Sequence, residues 1–367
     1  MAATPRTCAR KRIYLLDIME AEMKFRNLTF VAAIAVVLSL VQVQAFAQTV
    51  TAKPAKPAAT SGTWSVPRTV DGQPDLQGVW ANNNATPLER PKELAGRAFL
   101  TEQEVTALKK KAGELFEGQS DAAFGDQVFV SVLANVNGAK AGFKSTDGET
   151  GDYSSVWTVE RQWDNRTSLI TDPADGRLPA MTPRAEDIQK TAAAKRFGRP
   201  AGPEDRSLSE RCISFGAPRL GAGYNSYFQI QQSSKDVAIL METIHDVRMV
   251  PLDGRPHVAA NIQTWLGDPR GHWEGDTLVI DTTNYRPGAF MNVSTEKLHI
   301  VERYTRTGPD SMKWEVTVDD PGAWAKPWTA MIPLQRSKDA LYEYSCQEGN
   351  YGLKGILEGA RAEDKSK

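Results

Sequence analysis

Between Asn225 and Cys346 the chain is a succession of short apolar and β-branched runs separated by turn residues, and this stretch limits the fold more than any other. Strands are expected at 227–232, 237–243, 246–250, 262–265, 277–283, 298–306, 312–318, 328–334 and 341–346. Asp253-Gly254, Gly275-Asp276 and Gly308-Pro309-Asp310 supply turn chemistry between them. So many strands on short connections leave no place for the helices of an alternating βα fold, and the expected class is all-β and antiparallel. Closure into a barrel would remove exposed edges and provide an internal pocket, while a sandwich satisfies the same pattern.

Helical and loop insertions precede this stretch. Thr101 followed three residues later by Glu104 is a capping box, and Val105, Leu108, Leu115 and Phe116 are spaced for a one-sided apolar helix within 91–117. A second helix is expected over 185–195, between Pro183 and Pro200. Residues 118–153 mix Gly, Asn and Asp with the apolar run Val128–Val132 and read as a long insertion or lid. The organisation expected is a flexible tether over 48–73, one β-rich domain over 74–357 and a flexible tail over 358–367.

The amino-terminal segment bears on location. Met23-Lys24-Phe25-Arg26, the apolar stretch Leu28–Val41 and Ala45-Phe46-Ala47 form a cationic head, a short apolar core and a small-x-small cleavage site. Translation is expected from Met23, with a leader over 1–47 removed and a product in the periplasm or secreted. The apolar run falls short of the ~20 residues a spanning helix needs, so no stable membrane insertion is expected. In the whole chain 44 Lys and Arg oppose 45 Asp and Glu, which gives no electrostatic reason to bind nucleic acid. Cys8 lies in the leader, which leaves Cys212 and Cys346 to form one disulfide in an oxidising compartment or to remain as two buried thiols.

Several segments carry a resemblance. The run His272-Trp273-Glu274-Gly275-Asp276-Thr277-Leu278-Val279-Ile280-Asp281-Thr282-Thr283-Asn284-Tyr285 resembles a family of exported bacterial proteins, most of them without an assigned reaction. The likeness extends through Asp253–His257, Leu298–Arg303 and Val318–Pro321, and it implies no particular chemistry. Gly78-Val79-Trp80 is similar to the Gly-x-Trp opening of lipocalin-like barrels, which implies a barrel that binds small apolar molecules.

The four histidines, at 245, 257, 272 and 299, all fall in the β-rich half beside carboxylates and arginines. His257 on an expected loop, Asp281 at the end of a buried strand, and His299 and Glu302 on one strand are the candidate catalytic groups. Strand alternation sets His299 and Glu302 on opposite faces, with Leu298, Ile300, Glu302 and Tyr304 together on one wall. Arg248, Arg255 and Tyr304 are the candidate substrate-binding groups, with neutralisation of Glu302 by Arg248 or Arg306 as the structural alternative. Asp246 and Arg248 share a strand face, fit to orient an anionic group or to form a structural ion pair. Trp265, Trp273, Tyr285, Trp314, Trp324 and Trp328 would line a cleft or fill the core. No His-x-His, Gly-x-Ser-x-Gly or Gly-x-Gly-x-x-Gly motif occurs, and neither a metal nor an organic cofactor is expected. These features point to an exported hydrolase or lyase that works on a small organic molecule by acid–base chemistry, with a non-catalytic ligand carrier as the alternative.

Overall fold

The computed structural model describes residues 64–116, 126–139, 161–216, 218–223 and 225–365. The expected leader, most of the tether and much of the 118–153 insertion lie outside the described residues. Residues 63–367 belong to one compact unit.

Ten strands form one antiparallel sheet: β1 (Gly78–Ala81), β2 (Ile170–Asp172), β3 (Tyr227–Gln232), β4 (Asp236–Met241), β5 (Val247–Pro251), β6 (Asp268–Glu274), β7 (Thr277–Thr283), β8 (His299–Arg306), β9 (Ser311–Asp319) and β10 (Trp328–Arg336). Nine follow the order β5-β4-β3-β1-β10-β9-β8-β7-β6, and β2 attaches to β10. The sheet curls so that β5 and β6, the two ends of this order, come together and nearly close a barrel. Gly271 on β6 makes the approach possible, since a Cβ there would meet Val250 Cγ1 and Leu252 Cδ2 at 2.7 Å.

Alternation explains the interior. Along β8, β9 and β10 every second residue is buried, as a strand with one face on a core requires. The inward set includes Trp80, Leu278, Ile280, Tyr304, Trp314 and Trp328, which fill the barrel with side chains. Each large apolar side chain buried this way contributes about 1.5–3 kcal/mol.

Among the described residues four α-helices lie outside the sheet: α1 (Glu102–Phe116), α2 (Gln127–Val136), α3 (Pro183–Phe197) and α4 (Tyr351–Lys365). The capping box of α1 forms as read, with Thr101 N donating to Glu104 Oε2 at 2.8 Å and Glu104 N to Thr101 Oγ1 at 3.3 Å. Leu108 of α1 meets Phe129 and Val132 of α2 in a second, smaller core. Thr182 caps α3 by accepting from Ala185 N at 3.2 Å. Among the described residues no helix is long and apolar enough to cross a membrane.

Five local expectations differ from the structure. Residues 262–265 and 341–346 are not strands, whereas Asp268–Glu274, polar and proline-containing, is one. Chain order begins before residue 74: Asp75 N donates to Pro67 O at 2.8 Å, and Thr69 N to Gln73 O at 2.9 Å. The expected tail is helical as far as Lys365, and Arg199 Nη2 donates to Ala360 O at 2.7 Å. The Val128–Val132 run lies within helix α2.

Cys212 and Cys346 are disulfide-bonded across 134 residues of sequence, joining the segment before β3 to the segment after β10. Replacing both with serine should lower unfolding stability by about 2–5 kcal/mol. Urea denaturation of the oxidised protein and the double variant checks this, and coincident midpoints would contradict it.

Candidate functional site at the barrel seam

A group of polar side chains is buried in the otherwise largely apolar interior of the barrel. Glu302 on β8 is 0% exposed and Arg248 on β5 is 3% exposed, and they meet across the interior. Arg248 Nη1 donates to Glu302 Oε1 at 3.1 Å, and Nη2 bonds to Oε2 while also reaching Thr282 Oγ1 at 3.4 Å. Strand geometry supplies two more donors. Tyr304, two residues on and therefore on the same face, donates its hydroxyl to Glu302 Oε1 at 2.8 Å. Trp314 stands opposite Tyr304 in the β8–β9 register, stacks on it at 5.6 Å, and donates Nε1 to the same oxygen at 3.2 Å.

These bonds give Glu302 a structural role. Its two oxygens accept four donors from three residues, three at Oε1 and one at Oε2. Glu302, a candidate catalytic group, and Tyr304, a candidate substrate-binding group, thus lie bonded to each other inside the packed barrel. Burial acts to lower the pKa of Arg248, but the adjacent Glu302 carboxylate overrides it and holds the guanidinium charged. Burial, reinforced by Glu302, pushes the Tyr304 hydroxyl well above its ordinary value. Arg306 takes no part in the pair; it donates to Asp75 O at 3.1 Å and to Pro309 O.

Arg248 also borders the seam. Its Nε–H is buried without an acceptor, and the residue lines a cavity of about 410 Å³ where β5 and β6 diverge. Val247 and Met249 of β5 and Trp265, Leu266 and Pro269 contribute apolar wall. Asp246 lines the same cavity. Its Oδ2 accepts from Ser214 Oγ at 2.9 Å, while Ser214 Oγ accepts from Gly216 N at 3.0 Å. Burial raises the Asp246 pKa, against the opposing effects of the Ser214 hydroxyl and His245. Just before it, Ile244 and His245 have φ of 58° and 57°, a left-handed conformation that strains a β-branched residue.

The loop from 252 to 267 forms the opposite wall, and the remaining sequence-predicted residues fasten it. His257 Nε2 lies 2.9 Å from Asp281 Oδ1, and His299 Nε2 lies 2.8 Å from Asp281 Oδ2. The other nitrogen of His257 lies 3.1 Å from Asp268 Oδ2, whose partner oxygen accepts from Arg270 at 2.6 Å. His257, Asp281 and His299 thus come together on the outer face of the sheet, in a line that continues through Asp268 and Arg270. The line is not a cage: among the described residues no group of three or more His, Cys, Asp or Glu is arranged to hold a metal ion. Asn284 adds a second fastening, donating to the carbonyls of Val258, Ala259 and Ile262 at 3.1–3.2 Å. Gly267 closes the loop against the barrel at φ 71°, where a Cβ would meet Thr282 Cγ2 at 2.6 Å.

Arg255 is not part of the site, since it is exposed and paired with Asp253 at the loop tip. Of the aromatics, Tyr285, Trp314, Trp324 and Trp328 are core, whereas Trp265 faces the cavity. Sequence reading treated Asp246 only as a neighbour of Arg248 and passed over Asp268 and Arg270. The shared strand face of Asp246 and Arg248 was the available signal. No protein-family model matches the chain, and neither a curated protein nor a solved structure matches it.

Glu302→Gln should destabilise the fold by about 3–5 kcal/mol by stranding a buried cation, and Arg248→Met with Glu302→Leu should restore most of that loss. Chemical denaturation of the three proteins measures both effects. At Asp268, burial opposes the charged form, but the Val258 N–H, Arg270 and His257 outweigh it and lower the pKa. Its stabilisation is therefore complete above the pKa of the unfolded carboxyl and is lost as pH falls through the lower folded value. Asp268→Asn should reduce the thermal midpoint at pH 7, with the deficit shrinking below about pH 4.

Proposed function

We propose that the protein is an exported small-molecule enzyme of the lyase or hydrolase type, using general acid–base catalysis at the barrel seam. Asp246 transfers the proton, and Arg248 holds the substrate carbonyl. One observation carries this reading: a carboxyl whose pKa is raised by burial shares a cavity with a buried guanidinium N–H that has no acceptor. The cavity volume of about 410 Å³ suits a small organic molecule.

The chemistry follows from the charges. Glu302 already neutralises Arg248, and Asp246 adds negative charge at the cavity, which favours a neutral carbonyl compound over an anion. The carbonyl oxygen accepts the Arg248 Nε–H, and the Asp246 carboxylate removes a proton from the adjacent carbon. Charge gathering on that oxygen strengthens its bond to the guanidinium as the proton leaves, so the interaction is greatest in the transition state. Ser214 orients the carboxylate through its 2.9 Å bond.

The lipocalin-like comparison implies a ligand along the barrel axis. In this proposal the ligand sits instead where the sheet fails to close. The carrier alternative draws on Val247 and Met249, apolar side chains 45% and 54% exposed beside the cavity, and requires uptake without proton transfer.

Deuterium exchange into acetone, cyclohexanone and acetophenone, followed by NMR, distinguishes the readings. The wild type should accelerate exchange and Asp246→Asn should not; equal rates would remove the catalytic assignment. Stability supplies a second check. Because the folded pKa of Asp246 is raised, the native state binds the extra proton and stability falls as pH rises from the unfolded value to the folded one. Asp246→Asn should therefore raise the thermal midpoint at pH 7 and leave it unchanged near pH 3. A merely structural ion pair with Arg248 would give a loss at pH 7.

A further inference from the structure

A second cavity of about 410 Å³ lies between the carboxyl-terminal half of α3, the 204–211 segment and the 287–293 loop. Trp265 lines both this groove and the seam cavity, with Arg286 stacked on its ring at 5.2 Å. The apolar part of the lining comes from Ala192, Phe197, Leu208, Pro287, Met291 and Val293. Phe197 is 83% exposed, a large apolar side chain left in water at the groove.

Charge in the groove is unbalanced. Four cations, Lys195, Arg196, Arg206 and Arg211, face two carboxylates, Glu204 and Asp205. Lys195 is matched by Asp205 at 3.4 Å. Arg206 is committed to the main chain, donating to Gly198 O at 3.1 Å and to Arg196 O, and so caps the end of α3. Arg196 stacks on Phe197 and lies close enough to Glu210 to lower its pKa, with burial opposing and Ser207 assisting. The half-buried Arg211 guanidinium has neither a carboxylate nor a hydrogen-bond acceptor among the described residues.

The main chain beside Arg211 is tied down on both sides. Ser207 and Glu210, just before it, bond reciprocally, with Ser207 N donating to Glu210 Oε2 at 2.9 Å and Glu210 N to Ser207 Oγ at 3.2 Å. Asn350 Nδ2 donates to Glu210 O at 2.9 Å from the far side, and the adjacent Cys212 is fixed by the disulfide. Across the groove Met291 and Asn292 have φ of 50° and 58°, two consecutive left-handed residues. Such fixed and strained lining is the arrangement of a preorganised binding site.

We propose that this groove binds an organic monoanion with an apolar body, an aliphatic or aryl carboxylate, whose head is held by Arg211 and whose body lies against Leu208, Met291 and Val293. A single uncommitted guanidinium matches a carboxylate in charge and shape. Glu204 and Asp205 nearby disfavour a dianion such as a phosphate monoester. This site is independent of the chemistry proposed for the seam, whose cavity favours neutral molecules.

Calorimetric titration with octanoate, octylammonium and acetate tests it on the intact oxidised protein. Octanoate should bind at one site, and octylammonium and acetate at least about tenfold more weakly, the loss expected when a charge-assisted hydrogen bond or the apolar contact is removed. Arg211→Gln, which breaks no internal bond, should weaken octanoate about tenfold with an unchanged thermal midpoint, and Met291→Asp should do the same from the apolar wall. Asp246→Asn should leave octanoate affinity as it was, which separates this site from the seam. Octylammonium binding as tightly as octanoate, unchanged affinity in Arg211→Gln, or no saturable octanoate binding would each overturn the proposal.

Discussion

The buried Arg248–Glu302 pair sets the arrangement of everything around it. Removing two charges from water costs several kcal/mol per ion, and such a pair persists only when its remaining hydrogen-bonding capacity is met. Here Tyr304 and Trp314 complete the carboxylate, which requires β8 and β9 to be in register. The pair also reaches across the interior to β5, a strand hydrogen-bonded on one side only, to β4. An electrostatic tie therefore fixes the distal end of the sheet in place of a strand ladder. Because Arg248 turns inward, its neighbours Val247 and Met249 turn outward, and the polar interior and the apolar seam arise from the same alternation.

The outer fastening complements the inner one. The loop that completes the seam cavity has no regular structure, and loops of this length are ordered only when tied down. His257 ties it to β6 and β7 at once, and through Asp281 the link extends to His299 on β8. Each ring nitrogen of His257 faces a carboxylate, so the loop is held at two points by one side chain. The histidines that look like chemistry in the sequence thus shape a wall of the site. The carboxyl proposed for proton transfer, Asp246, stands just before β5.

Much of the barrel was legible because alternation is a local property. His299–Arg306 and Ser311–Asp319 read as half-buried strands from composition, and the inward position of Glu302 and Tyr304 followed from counting by twos. Strand β6 was missed because Asp268, Pro269 and Gly271 resemble a turn; the glycine is there because β5 must come close, a non-local requirement. Helix α4 was missed in part because Gly352, Gly355 and Gly359 weaken its propensity, which tertiary contacts such as that from Arg199 outweigh. The seam cavity joins residues near 213, 246 and 265, and nothing in local pattern brings these together.

Because the seam is pinned at Gly271 and open beyond it, the opening results from omitted strand pairing and leaves the core packed. Substitutions in the 252–267 loop can change what the opening admits without disturbing the aromatic interior. Changes in the interior are constrained by packing and by the buried Arg248–Glu302 pair. The protein thus separates the region that fixes its packing from the loop that shapes its opening.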